Sequence, residues 1–91
     1  MSDPYTLQVA GPAARAIADK LPEAVAAAVL EFVTGPLLDN PQRIGTELRG
    51  PLFGTWAARR GSYRVLYTID EQRRLVTVKD VEHRSDAYRR H

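Results

Sequence analysis

The first part of the chain alternates apolar and polar residues and then changes to a helical spacing of apolar residues. Residues 5–10 alternate as a strand with one buried face does. Gly11-Pro12 and Pro22-Glu23 then each begin a segment in which apolar residues recur every three or four positions, and proline suits the first turn of a helix. Gly35-Pro36 ends the second segment. The pattern predicts one strand followed by a helical hairpin.

The rest of the chain returns to strand spacing after a long loop. Residues 39–51 contain several prolines and glycines and predict an ordered loop. Three strand-like runs follow at residues 55–59, 63–69 and 75–82, and short connections make them antiparallel hairpins. The predicted order is β-α-α-β-β-β, an α+β fold in which an antiparallel sheet carries the N-terminal helical hairpin on one face. With 91 residues, the chain is expected to form a single domain, 1–91.

Strand alternation gives the central predicted strand one buried face and one open face. If Tyr63 and Tyr67 face the helices, Arg64 faces away from them. The same alternation in the preceding strand turns Arg59 toward the open face as well. The sequence therefore predicts two arginines side by side on one surface.

A charge at the centre of a strand has two explanations. Arg64 forms an ion pair with Asp80 or Glu82 of the next strand, or it binds an anionic ligand. Charge is also uneven along the chain, since residues 1–41 carry a net charge of −3 and residues 42–91 carry +5. This distribution indicates a local anion-binding surface, although a salt-bridged, solvated sheet face explains it equally well.

Composition excludes several classes of site. The chain has no cysteine, and its two histidines show no recognisable metal-ligand spacing, so we expect no disulfide, metal or cofactor. The longest apolar run, residues 24–30, is far shorter than the ~18 residues that cross a bilayer, and no leader opens the chain. We therefore expect a cytoplasmic protein with no membrane association.

A second polar group follows the last predicted strand. One helical turn after His83 would bring Arg84 and Tyr88 to the same side of the chain. Together with Arg64 they suit RNA cleavage by attack of a ribose 2′-hydroxyl on the adjacent phosphate, which needs a base, charge stabilisation and a proton donor. Arginine supplies only the charge. Proton transfer therefore falls to His83, Tyr88, Glu47 or the surroundings of the substrate, and imidazole titrates nearest to neutral pH.

These residues resemble the RelE/ParE toxin superfamily, and its RelE branch in particular. The resemblance covers nearly the whole chain and rests on Leu48-Arg49-Gly50, the hairpin from Arg59 to Tyr67, Ile69-Asp70 and the closing His83-Arg84-Ser85-Asp86-Ala87-Tyr88. It implies the toxin of a type II toxin–antitoxin pair, a ribosome-dependent endoribonuclease that cuts messenger RNA in the ribosomal A site. It also implies a RelB-like antitoxin that neutralises the toxin in a hetero-oligomer.

The resemblance implies roles for single residues. Arg64 looks like the strand arginine that stabilises the phosphate, Arg84 like the late arginine, and Tyr88 like the terminal tyrosine, which transfers a proton or stacks on a base. His83 resembles a histidine that several members use. The arginines expected to bind substrate are Arg59, Arg60 and Arg49. We expect the catalytic residues and Arg59 to converge on the open face.

The chain departs from the family pattern in two places. Thr55 and Ala57 stand where well-studied members have lysines, and Glu47 stands where a basic residue is often found. Alanine cannot transfer a proton, so His83 or Tyr88 would carry more of the proton transfer. Two other functions stay open: a ParE-like, non-enzymatic inhibitor of DNA gyrase, and an inactive partner that binds antitoxin and regulates transcription.

Overall fold

The computed structural model describes residues 4–83 and contains a five-stranded sheet. The strands are β1 (Thr6–Val9), β2 (Thr46–Glu47), β3 (Trp56–Arg60), β4 (Tyr63–Asp70) and β5 (Leu75–His83). They lie in the order β1-β5-β4-β3-β2 across the sheet. Strands β2 to β5 pair antiparallel, whereas β1 pairs parallel to β5.

The helices form a layer on one face of this sheet. They are α1 (Gly11–Arg15), which continues as a π-helical turn over Ala16–Lys20, α2 (Glu23–Val33), α3 (Pro36–Asp39) and α4 (Pro41–Ile44). A proline stands at or next to the start of each of the four α-helices, where its missing N–H has no helical partner to lose. No helix within residues 4–83 is long and apolar enough to cross a membrane.

The predicted α+β class, with helices packed on one face of the sheet, is confirmed, and two details differ from the prediction. The sheet is not antiparallel throughout, because the helical layer carries the chain from β1 at one edge to β2 at the other, and the meander returns with β5 parallel to β1. Residues 39–51 are also not a single loop. They contain α4, β2 and a 3-10 turn over Gly50–Leu52, since proline and glycine here mark the ends of short elements.

The hydrophobic core lies between the sheet and the helices. Its fully buried side chains include Tyr67, Leu37, Val29, Val33, Val65, Val76 and Val78. Tyr63 is also buried, so the predicted inward face of β4 is confirmed. The opposite face of β4 is half-exposed, which leaves it open for a ligand.

Tyr67 connects the core to the corner between α4 and β2, which is formed by Gly45. Its hydroxyl donates a hydrogen bond to the carbonyl oxygen of Pro41 at 2.7 Å, and burial raises the pKa of Tyr67 to about 12. Gly45 packs against this hydroxyl so closely that a side chain has no room. A Cβ at Gly45 would also come within 2.9 Å of the carbonyl oxygen of Ala57. The corner therefore requires glycine for reasons of space.

Candidate active site

Three charged side chains form a row across the open face of the sheet. Arg59 of β3 lies opposite Arg64 of β4, and Arg64 lies opposite Glu82 of β5. Directly paired residues of antiparallel strands share a face, so the three side chains lie on the face that the helices leave uncovered. The prediction that Arg59 and Arg64 share this surface is confirmed by the strand register.

Arg64 forms an ion pair with Glu82. The Nε and Nη2 atoms of Arg64 both donate to Oε1 of Glu82, at 3.0 and 2.6 Å, and the two side chains are 38% and 44% exposed. One of the two explanations offered for Arg64 is thus present in the structure. An ion pair this exposed contributes only about 0 to 1 kcal/mol to stability. Because the bonds occupy the Nε edge of the guanidinium, they do not use Nη1, which stays available to an anion.

A bulge in β5 decides which residues reach the open face. Leu66 pairs with Asp80 and Tyr67 pairs with Val78, so Lys79 is an extra residue between the two pairs. Val78 and Val81 both face the core because of this insertion. Beyond the bulge the alternation is reversed, and Glu82 faces outward beside Arg64.

His83 lies on the other side of the sheet from Arg64. It pairs with Tyr63, which is buried against the helical layer, and its Nε2 lies 3.1 Å from Oγ of Ser62. The expectation that His83 converges with Arg64 on the open face is wrong. Simple alternation from the start of β5 would have turned His83 outward, but the bulge at Lys79 reverses it.

Arg60 also lies on the helix-facing side. Its guanidinium stands over the ring of Phe32, 4.7 Å from the ring centre, and it pairs across the hairpin with Tyr63. Arg60 therefore does not join the row on the open face, contrary to the expectation that it binds substrate beside Arg59. Arg59 and Arg60 are neighbours in the chain and lie on opposite faces of the sheet.

A groove of about 570 Å³ lies beside Arg60. Its walls come from α2, from Pro36 and from the β3–β4 turn: Ala24, Val25, Ala28, Glu31, Phe32, Gly61, Ser62 and Tyr63. The hydroxyl of Tyr63 donates to the carbonyl oxygen of Ala28 at 3.4 Å. Burial raises the pKa of Tyr63, and the charge of Arg60 partly opposes this. The walls of the groove are largely apolar, so the groove suits a protein side chain better than a phosphate.

Of the remaining predicted site residues, one lies within residues 4–83. Arg49 is exposed two residues after the end of β2, the strand next to β3. Arg84 and Tyr88 lie outside the described residues. Within residues 4–83, no three histidine, cysteine, aspartate or glutamate side chains are close enough to share a metal ion.

One polar cluster was not foreseen from the sequence. The Tyr5 hydroxyl donates to Oε1 of Glu71 at 2.7 Å, and Nε2 of Gln42 donates to the Tyr5 hydroxyl at 3.0 Å and to the other Glu71 oxygen. The bond to the Glu71 carboxylate, together with burial, raises the pKa of Tyr5. The cluster ties the start of β1 to α4 and to the β4–β5 turn. No local sequence signal connects residues so far apart.

A family model and two similar proteins identify the same kind of relative, a toxin. A family model described as the ParE toxin of the type II toxin–antitoxin system parDE matches residues 3–88. Toxin RelE of Mycobacterium tuberculosis is 48% identical over 91 residues, which span 98% of this chain and 93% of that protein. Toxin RelG of the same organism is 47% identical over 87 residues, 96% of this chain and 99% of that protein.

Solved structures show the same similarity in three dimensions. The toxin–antitoxin complex RelBE2 from M. tuberculosis contains a chain that is 45% identical, with a TM-score of 0.87 over 90% of this chain and all of that one. The intact Escherichia coli RelBE complex contains a chain that is 22% identical, with a TM-score of 0.71 over 87% of this chain and 95% of that one. The second match shows that the two chains share a fold.

Proposed function

This chain belongs to the RelE/ParE family of type II toxins as a RelE-like member, and on that premise we propose that it is an endoribonuclease that cleaves messenger RNA on the ribosome. The observation that carries the proposal is the pair Arg59 and Arg64 on an uncovered sheet face. Two neighbouring guanidinium groups suit a phosphodiester, because each offers several N–H donors in a plane.

The proposed reaction is attack of a ribose 2′-hydroxyl on the adjacent phosphate. Negative charge then develops on the phosphate oxygens, and Arg64 and Arg59 stabilise it from the open face. Neither arginine exchanges a proton in this reaction, so their contribution is electrostatic. We keep Arg84 and Tyr88 as catalytic residues and Arg49 as a substrate-binding residue on the family resemblance alone. We leave out Arg60 and His83 because they lie on the opposite face.

We propose that the partner of this toxin is a RelB-like antitoxin. A chain 45% identical to this one is known in a toxin–antitoxin complex, RelBE2, and the RelE-RelB complex of Pyrococcus horikoshii contains a chain 25% identical to this one. An antitoxin that bound the open face would cover Arg59 and Arg64 and so block access of RNA. An antitoxin seated in the apolar groove beside α2 would leave both arginines exposed.

The proposal is tested by inducing the protein in cells and mapping the 5′ ends of translated messages. The wild type should produce new ends within codons, and Arg64→Ala should reduce their rate of appearance about 10²- to 10³-fold, as for loss of one preorganised donor to a developing anion. Arg73→Ala is the matched control, because Arg73 is an exposed arginine in the β4–β5 turn whose partner is Asp70. Identical end patterns for wild type and Arg64→Ala would refute cleavage at this site.

A second candidate is inhibition of DNA gyrase in the manner of the ParE branch. The family model that matches carries the ParE name, and Ala57, where lysine is common in RelE members, cannot transfer a proton. Inhibition of supercoiling by the purified protein, without cleavage of messages, would support this function over the first. An unchanged growth rate on strong expression would instead favour an inactive partner of the antitoxin.

A further inference from the structure

RNA cleavage on the open face requires a group that removes the proton of the 2′-hydroxyl. His83 lies on the helix-facing side of the sheet. Glu47 pairs with Trp56, whose ring stacks on the buried ring of Tyr67, so Glu47 also belongs to that side. Among the proton acceptors expected from the sequence, neither of the two in residues 4–83 shares a face with Arg64.

Glu82 does share that face and completes the row of Arg59 and Arg64. Neighbouring strands lie about 4.8 Å apart, so a phosphate bound between Arg59 and Arg64 would lie next to the carboxylate. Both hydrogen bonds from Arg64 end on Oε1. They make no use of Oε2, and the Glu82 side chain is 44% exposed, so a ribose can reach it.

We propose that Glu82 is the general base of the cleavage reaction. The inference rests on the proposed RNA cleavage and adds the residue that starts it. Glu82 takes the proton from O2′ as the O2′–P bond forms. The P–O5′ bond breaks, its electron pair stays on O5′, and a water molecule gives O5′ a proton. The products are a 2′,3′-cyclic phosphate and a 5′-hydroxyl end.

The ion pair with Arg64 gives this base a fixed position. The bonds to Arg64 hold the carboxylate beside the guanidinium that stabilises the phosphate. The base and the electrostatic group therefore face the same phosphodiester. The β5 bulge at Lys79 is what turns Glu82 toward Arg64, so the position depends on the shape of the strand.

The test uses the full-length protein and ribosomes that carry a message with a defined A-site codon, under single-turnover conditions. Glu82→Gln keeps the size of the side chain and removes its basicity. It should slow cleavage about 10²- to 10⁴-fold, as for loss of a general base. Asp80→Asn is the matched control, because Asp80 belongs to the same strand and its Oδ1 accepts the Val81 N–H at 2.8 Å, a bond that an amide oxygen preserves. Its rate should stay within about 2-fold of the wild type.

A second measurement separates a base from a residue that only positions Arg64. Added carboxylates should partly restore cleavage by Glu82→Ala, and acetate should restore more than formate because it is more basic. Equal restoration by the two, or none, would assign Glu82 a positioning role and overturn the proposal. Cleavage by Glu82→Gln at or above the wild-type rate would also overturn it. Absence of cleavage by the wild type would overturn the proposed function itself, which distinguishes the two failures.

Discussion

At the scale of single residues, the guanidinium of Arg64 binds Glu82 through one edge and has a second edge for the proposed phosphate. Its Nε edge binds Glu82, and these bonds do not use Nη1, which we propose binds phosphate together with Arg59. The ion pair stabilises the fold very little because both side chains are exposed. In the proposed reaction the pair holds the Glu82 carboxylate beside the arginine that binds the phosphate, so it matters for the chemistry although it adds little stability.

The raised pKa of Tyr67 predicts how the free energy of unfolding changes at alkaline pH. Its pKa in the fold, about 12, lies above the ordinary 10.0, so the folded chain keeps the phenol proton after the unfolded chain has lost it. The stabilisation is complete below pH 10 and is lost as pH rises from 10 toward 12. We expect the free energy of unfolding to fall by about 1.4 kcal/mol per pH unit in this window. Urea unfolding on either side of pH 10 measures it.

The control for this prediction is Tyr67→Phe. At neutral pH it should be less stable by about 1 to 3 kcal/mol, because the carbonyl of Pro41 loses its buried donor. Its stability should fall less steeply above pH 10 than that of the wild type. Tyr5 and Tyr63 also have raised pKa values, but both proteins contain them. Equal slopes for the two proteins would contradict the assignment to Tyr67.

At the scale of elements, β5 positions the site through one irregularity. The extra residue Lys79 reverses the alternation, so that Val81 enters the core while Glu82 faces Arg64 and His83 faces the helical side. The alternation of β4 predicted the face of Arg64 correctly because that strand is regular. The face of His83 follows only if the bulge is recognised, and its sequence signal is the spacing of Val76, Val78 and Val81, which shifts the apolar alternation by one residue.

The corner between α4 and β2 offers a test of packing at this scale. Gly45→Ala should destabilise the fold by about 1 to 3 kcal/mol, because the methyl group would overlap the Tyr67 hydroxyl and approach the Ala57 carbonyl. The backbone at Gly45 is extended, so conformational strain is not the cause. Gly11→Ala is the control, since its methyl group would meet only the end of the Arg15 side chain. Urea unfolding should show the control unchanged or slightly more stable; equal losses would contradict the steric explanation.

At the scale of the whole molecule, the local sequence pattern predicted four of the five strands and the helical hairpin, but not the short elements within residues 39–51 or every contact between strands. The helical and strand spacings gave the hairpin of helices and the three-stranded meander, because these contacts are close in sequence. The pairing of β1 with β5 and the cluster of Tyr5, Gln42 and Glu71 join distant segments, and only packing brings them together. For the site, the shared face of Arg59 and Arg64 followed from alternation, whereas the choice of Glu82 over Asp80 as the partner of Arg64 required the register.

The central claim is that the open face of the sheet carries the activity, and Arg59 and Arg60 test it most directly. They are adjacent arginines on opposite faces, Arg59 beside Arg64 and Arg60 over Phe32. In single-turnover cleavage on programmed ribosomes, Arg59→Ala should lose about 10- to 100-fold in rate, the value of one charge-assisted contact. Arg60→Ala should stay within about 2-fold of the wild type. A loss confined to Arg60→Ala, or equal losses for both, would contradict the account.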